Sequence, residues 1–148
     1  MSMYRVTKKF GHDRGYSCAF RQWKAQSDCK YIHGYSLAFE VGLSSNKLNE
    51  QNWVYDFGNF NFLKEWLQNN FDHKLILAQD DPELEELVKL NQVSANIVIV
   101  PKISCEAFAQ MTYDFIDDHI KSLGHKIMVE YVTVSEHQAN SATYSKRQ

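Results

Sequence analysis

The stretch Tyr35 to Leu43, YSLAFEVGL, alternates with a period of two, the pattern of a strand with unlike faces. Residues 4–10 and 16–23 alternate in a similar way, broken at Gly11-His12-Asp13-Arg14-Gly15. Pairing of residues 16–23 with 35–43, across the loop that carries Cys29, makes a long hairpin. Ile97 to Val100 (IVIV) is a buried strand candidate ended by Pro101, and Ile127 to Ser135 (IMVEYVTVS) is a last strand. Between these lie helical patterns. Asn52 to Phe57 leads into a helix that carries Phe60, Leu63, Leu67 and Phe71 on one face. Asp80-Asp81-Pro82 offers an N-cap and a first-turn proline to the short helix PELEELVKL. Ser104 to Leu123 is the longest helix, with Phe108, Thr112, Phe115 or Ile116, and Ile120 on one stripe and Gly124 as its stop. Hairpin-like strands at the start and a helix between later strands favour an α+β fold with an antiparallel sheet. No linker or repeat divides the chain, so one domain over residues 1–148 is expected.

A net charge of −2 gives no basic field for nucleic acid or a membrane surface. Basic residues do gather at Arg5, Lys8, Lys9, Arg14, Arg21 and Lys24, where they either meet an anionic ligand or form a solvated strand edge. No apolar run reaches the ~18 residues that span a bilayer. MSMYRVTKKF lacks the apolar centre of a signal peptide. Cys18, Cys29 and Cys105 form an odd set without CxxC spacing, which implies free thiols in a reducing cytoplasm. Aromatic residues make up 14% of the chain and serve a core, a subunit interface or a pocket for a flat heterocycle.

Several residues carry chemistry in local context. Cys29 lies in the polar stretch SDCKYIHG, where an exposed thiol is either inert or drawn toward the thiolate by Lys24 or Lys30. Asp72 beside His73 either fixes an imidazole tautomer, as a general base requires, or caps a turn. Glu136 ends the last strand as a solvated terminus or as an acceptor for two hydrogen bonds from a guanidine-like N–C–N edge. His33 and Tyr35 share a strand face, as do Cys18 and Phe20. One histidine with a tyrosine and a phenylalanine does not supply the three or four donors of a zinc site.

Taken together these segments resemble the 6-pyruvoyl-tetrahydropterin synthase and 6-carboxytetrahydropterin synthase family. YSCAFRQ (16–22) is similar to the family's F-x-A-A-H-R-like strand, and CKYIHGY (29–35) to its C-x-x-x-H-G-H. WVYDFGNF (53–60) is similar to G-x-V-x-D-F-x-x-L, and FDHKLIL (71–77) to L-D-H-x-x-L. PKISCEAFA (101–109) is similar to P-T-S/A-E-N-x-A, and VTVSEHQANSATY (132–144) to V-x-V-x-E…S-x-A-x-Y. Each match is weak alone; six in register cover nearly the whole chain.

The resemblance implies a tunnelling fold, a four-stranded antiparallel sheet with helices packed on one face. It implies homo-oligomers, trimers or hexamers of two stacked trimers, with sites at subunit interfaces. It also implies a pterin-processing lyase acting on 7,8-dihydroneopterin triphosphate, in the queuosine or tetrahydropterin branch. By residue, it makes Cys29 the general base and Asp72 with His73 the proton relay. Glu136 anchors the pterin edge, helped by Ser104 and Cys105, and Glu106 matches the acidic residue of the helix-opening motif. The family's three zinc histidines fall on Phe20, His33 and Tyr35, so His33 is the one surviving ligand and zinc is expected to be weakly held or absent. Cys18, on the Phe20 face, is an awkward replacement because alternate residues on a strand stand roughly 6.5 to 7 Å apart. The alternative implied by these departures is a metal-free pterin- or purine-binding homologue without the synthase activity.

Overall fold

The alternating stretch forms the middle of the sheet. In the computed structural model, which describes residues 2–124 and 126–146, it lies within β3 (His33–Ser45). The N-terminal half of β3 pairs antiparallel with β2 (Tyr16–Phe20), and its C-terminal half with β1 (Tyr4–Phe10). Its other edge pairs with β6 (Met128–His137), which turns back into β7 (Asn140–Tyr144). On the far side β2 pairs parallel with β4 (Lys74–Ala78), and β4 parallel with β5 (Ile97–Val100). The helices are α1 (Asn61–Asn70), α2 (Leu84–Leu87) and α3 (Cys105–Ser122).

The expected four-stranded antiparallel sheet is therefore corrected to a mixed sheet of seven strands among the described residues. Strands β1, β3, β6 and β7 do pair antiparallel, but β4 and β5 extend the sheet with parallel pairing. The physical reason lies in the runs LILA and IVIV. Continuous apolar runs suit parallel strands, which are covered on both faces, and Leu75, Ile76, Leu77 and Ala78 are all buried. Parallel neighbours need a long crossover, and residues 79–96, with α2, supply it.

The inward face of β3 presents Phe39, Val41 and Leu43 beside Val132 and Val134 of β6. Against them pack Phe108, Thr112, Ile116 and Ile120 of α3, the expected stripe, with Leu63 and Leu67 of α1. Of the two candidates, Ile116 faces the core. Phe115 stacks on Trp66 of α1 with ring centroids 4.7 Å apart, tying the two helices together. Phe71 joins the layers, 5.0 Å from Phe39 and 5.3 Å from Phe108. Each such fully buried side chain stabilises the fold by roughly 1.5–3 kcal/mol.

Two bulges in β6 decide which way its polar residues point. Between Gly42 and Leu43 the register shifts so that Glu130 and Tyr131 both leave the core. Glu130 then accepts from Ser44 Oγ, and the Tyr131 hydroxyl donates to Glu40 at 2.6 Å. The Tyr131 ring lies over Gly42, where an added Cβ would come within 2.1 Å of it. The second shift, between Ser135 and His137, takes Glu136 out of the ladder.

Three expected boundaries move. β2 ends at Phe20 rather than residue 23, because Arg21 turns away to pair with Asp81. The helix after Pro82 shrinks to four residues followed by a 3-10 turn, and Asp81 is a buried partner of Arg21 that also accepts from the Glu83 N–H. The last strand runs past Glu136, so this carboxylate stands in a hairpin rather than at a solvated terminus.

Candidate functional site

The loop between β2 and β3 is held by hydrogen bonds rather than by regular structure. Arg21 donates from Nε and Nη2 to the Asp81 carboxylate at 2.9 and 2.6 Å, and from Nη1 to the Lys30 carbonyl at 3.2 Å. The Gln22 N–H donates to the Cys29 carbonyl at 2.9 Å, and Gln22 Nε2 to the Ile103 carbonyl at 2.7 Å. Ser27 Oγ accepts from the Cys29 N–H at 3.4 Å and opens the turn that carries the thiol. Cys29 is thus exposed but fixed. Asp81 is held below the usual carboxylate range by the Arg21 hydrogen bonds, which outweigh its burial.

This loop closes one side of a cleft of about 340 Å³ lined by Phe20, Gln22, Cys29, His33, Ser104, Cys105, Glu106 and Glu136. Five elements meet here: the end of β2, the loop, the start of β3, the N-terminus of α3 and the β6 bulge. Ser104 caps α3, its Oγ accepting from the Ala107 N–H at 2.9 Å. Burial, reinforced by the negative field and hydrogen bonding of Glu136, pushes the Cys105 thiol up to about 12. Cys105 is therefore a neutral donor beside Glu136, not a nucleophile. A larger cleft, about 520 Å³, opens by Lys47, Trp53, Tyr55 and Lys126 and holds none of the predicted residues.

The basic cluster is not a free anion site. Lys24 pairs with Asp80 at 3.5 Å and Lys9 with Glu40 at 3.6 Å, while Lys8 donates to the Phe57 carbonyl. Lys30 lies over the Tyr31 ring, so neither lysine that was expected to act on Cys29 is free of other contacts.

Asp72 and His73 lie elsewhere. They occupy the turn before β4, beside Ser17 at the start of β2, whereas Phe20 of the cleft ends that strand. Three strand rises separate Ser17 from Phe20, roughly 10 Å. Adjacent strand residues would diverge, yet His73 takes a left-handed φ of 57°, and its Nδ1 meets Asp72 Oδ1 at 2.6 Å. A carboxylate only accepts, so Nδ1 carries the proton that bonds Asp72, and Nε2 is the nitrogen left for a ligand. Asp72 thus orients the imidazole rather than capping a turn. The His73 side chain is 84% exposed.

Sequence reasoning placed Arg21 in a basic cluster and Asp81 in an N-cap and gave Gln22 no role of its own, yet these three set the loop. An acidic pair ahead of Pro82 looks like a cap until its distant arginine is known.

The family model for 6-pyruvoyl tetrahydropterin synthase matches residues 9–147. The chain belongs to that family. It is 34% identical over 88 residues to a 6-carboxy-5,6,7,8-tetrahydropterin synthase from Rickettsia conorii, a match covering 59% of this chain and 61% of the relative. A synthase of the same name from Aquifex aeolicus is 28% identical over 137 residues, covering 89% and 85%. Among solved structures, an uncharacterised protein from Wolinella succinogenes superposes with a TM-score of 0.83 at 19% identity, covering 99% of this chain and 100% of that one. The 6-pyruvoyl tetrahydropterin synthase from Plasmodium vivax does so with a TM-score of 0.72 at 16% identity, covering all of both chains. These likenesses establish the 6-pyruvoyl tetrahydropterin synthase fold.

The zinc implied by this family does not fit the residues present. Phe20 pairs with His33 across β2 and β3, and Cys18 with Tyr35. Phe20 offers no donor atom, and burial followed by the charge of Glu136 raises the Tyr35 phenol above its ordinary value. The Cys18 thiol, pushed to about 12 by burial and Asp72, is no substitute. Among the described residues no group of three or more His, Cys, Asp or Glu side chains is placed to hold a metal ion.

Proposed function

We propose that the chain is a pterin-processing lyase of the 6-carboxytetrahydropterin or 6-pyruvoyl-tetrahydropterin synthase type, acting on 7,8-dihydroneopterin triphosphate. The observation that supports this most is the cleft in which Glu136, set out of the ladder by a bulge, faces the same space as Cys29 and the capped start of α3. In this reading Glu136 accepts from the pterin N–C–N edge, with Ser104, Cys105 and Glu106 around it. Cys29, as thiolate, removes a proton from the side-chain carbon next to the one that bears the phosphate ester. The C–H electron pair forms the new double bond, and triphosphate departs with the electrons of the carbon–oxygen bond. His73, oriented by Asp72, exchanges protons through Nε2.

Within one chain the imidazole stands apart from the cleft, which supports a homo-oligomer, trimer or hexamer, in which it serves a neighbouring copy. Tyr31 and Ile32, 60% and 45% exposed next to His33, suit such an interface. Three free thiols fit a reducing, cytoplasmic setting, and no helix among the described residues is long and apolar enough to cross a membrane. A second reading, a pterin- or purine-binding homologue without the synthase reaction, is favoured by Phe20 and Tyr35 at the metal positions. Incubation with 7,8-dihydroneopterin triphosphate, with and without added zinc, separates them. Release of triphosphate is expected; binding without turnover under either condition favours the second reading.

A further inference from the structure

The corner formed by Phe20, His33 and Tyr35 retains the arrangement of a metal site without two of its three imidazole donors. The ring centroids stand 5.9 Å (Phe20–His33), 5.8 Å (Phe20–Tyr35) and 5.2 Å (His33–Tyr35) apart. Imidazoles on one tetrahedral zinc, with Zn–N near 2.0–2.1 Å, place their centroids roughly 5 Å apart. The backbone therefore still presents three rings at about that spacing, while two of the rings have become phenyl and phenol.

What remains is a donor and an acceptor. His33 Nδ1 lies 2.7 Å from the Tyr31 carbonyl, so it carries the proton and Nε2 holds the lone pair. Neither Nε2 nor the Tyr35 hydroxyl makes a hydrogen bond among the described residues. His33 lines the cleft, and the Tyr35 ring stands directly behind it, edge-on with centroids 5.2 Å apart, with its phenol in the field of Glu136. Phe20 is buried beneath them and packs edge-on against Phe108 at 5.3 Å, which fixes the corner to α3.

We propose that this corner is a metal-free hydrogen-bonding subsite, in which the Tyr35 hydroxyl donates to, and His33 Nε2 accepts from, the oxygen-bearing side chain of the pterin whose ring edge meets Glu136. The proposal rests on the pterin reading above. It replaces one ion that would polarise side-chain oxygens with two hydrogen-bonding groups that orient them. Tyr35 is thereby the residue that distinguishes a pterin with a hydroxylated side chain from one without.

The test has two arms. In the first, fluorescence titrations compare neopterin, which carries a trihydroxypropyl side chain, with pterin, which carries none. Tyr35→Phe is expected to weaken neopterin about three- to tenfold, the loss of one neutral hydrogen bond, and to leave pterin unchanged. In the second, cobalt and zinc are titrated into the wild-type chain and into Phe20→His/Tyr35→His. The double variant is expected to take one ion per chain, with the visible absorption of tetrahedral cobalt, while the wild-type chain takes none. Tyr35→Phe keeps the ring and so tests the proposal even where the double variant fails to fold. Equal loss of both ligands in Tyr35→Phe, or a wild-type chain that binds one ion with the tetrahedral spectrum, overturns the proposal. Failure of both pterins to bind the wild-type chain removes the pterin reading on which the proposal rests, and the side-chain subsite falls with it.

Discussion

Two side-chain pairs flank β2 and β4, each closed at 2.6 Å, and their surroundings differ. Arg21–Asp81 leaves 19% and 1% of its side chains exposed; His73–Asp72 leaves 84% and 32%. Burial removes water as an alternative partner, so Arg21 and Asp81 depend on each other and pin the loop that carries Cys29. Exposure leaves the His73 pair with little to contribute to stability, and its left-handed backbone is a small cost at a site of candidate chemistry. One pair holds the cleft in shape; the other is available to act on a ligand.

The largest expected effect is on turnover. His73→Ala or Cys29→Ala is expected to lower kcat about 10²- to 10⁴-fold while the thermal midpoint stays unchanged, as measured by triphosphate release and circular dichroism. A large drop in midpoint would erase the contrast between the pairs. Arg21→Ala or Asp81→Ala is next, expected to cost about 3–5 kcal/mol in denaturant unfolding, because either leaves a charge buried without its partner. The same pair sets an acid dependence. Its stabilisation is complete above the unfolded carboxylate value, about 3.9, and is lost as pH falls through the lower folded value of Asp81. Unfolding midpoints of wild type and Asp81→Asn should therefore converge in strong acid. Gly42→Ala is expected to cost about 1–3 kcal/mol, since its Cβ displaces the Tyr131 ring and its bond to Glu40. Smallest is Asp72→Asn, expected to shift stability by less than about 0.5 kcal/mol while kcat falls, which separates orientation of His73 from structural support.

The β3 alternation and the α3 stripe were legible because each follows one period over many residues. Strand β7 was not: NSATY lacks a strand composition, and the turn before it, Gln138-Ala139, lacks glycine. The parallel pairing of β4 escaped because adjacency in the sheet depends on a crossover that no local pattern records. At the site, residue types in family register led to Cys29, Glu136 and the Asp72–His73 pair. The distance between that pair and the cleft was not legible, because it follows from the length of β2. Nor was the bulge at Glu136, which depends on the register of β7, nor the grip of Arg21 on Asp81 across 60 residues of chain.

The separation of cleft and imidazole makes the central claim directly measurable. Cys29→Ala and His73→Ala chains, each inactive, are mixed, unfolded, refolded together and assayed for triphosphate release from 7,8-dihydroneopterin triphosphate. If each site takes its cleft from one copy and its imidazole from another, random mixing restores roughly a quarter of wild-type sites. Activity no greater than the sum of the two variants, in refolded oligomers shown to contain both chains, would contradict the account.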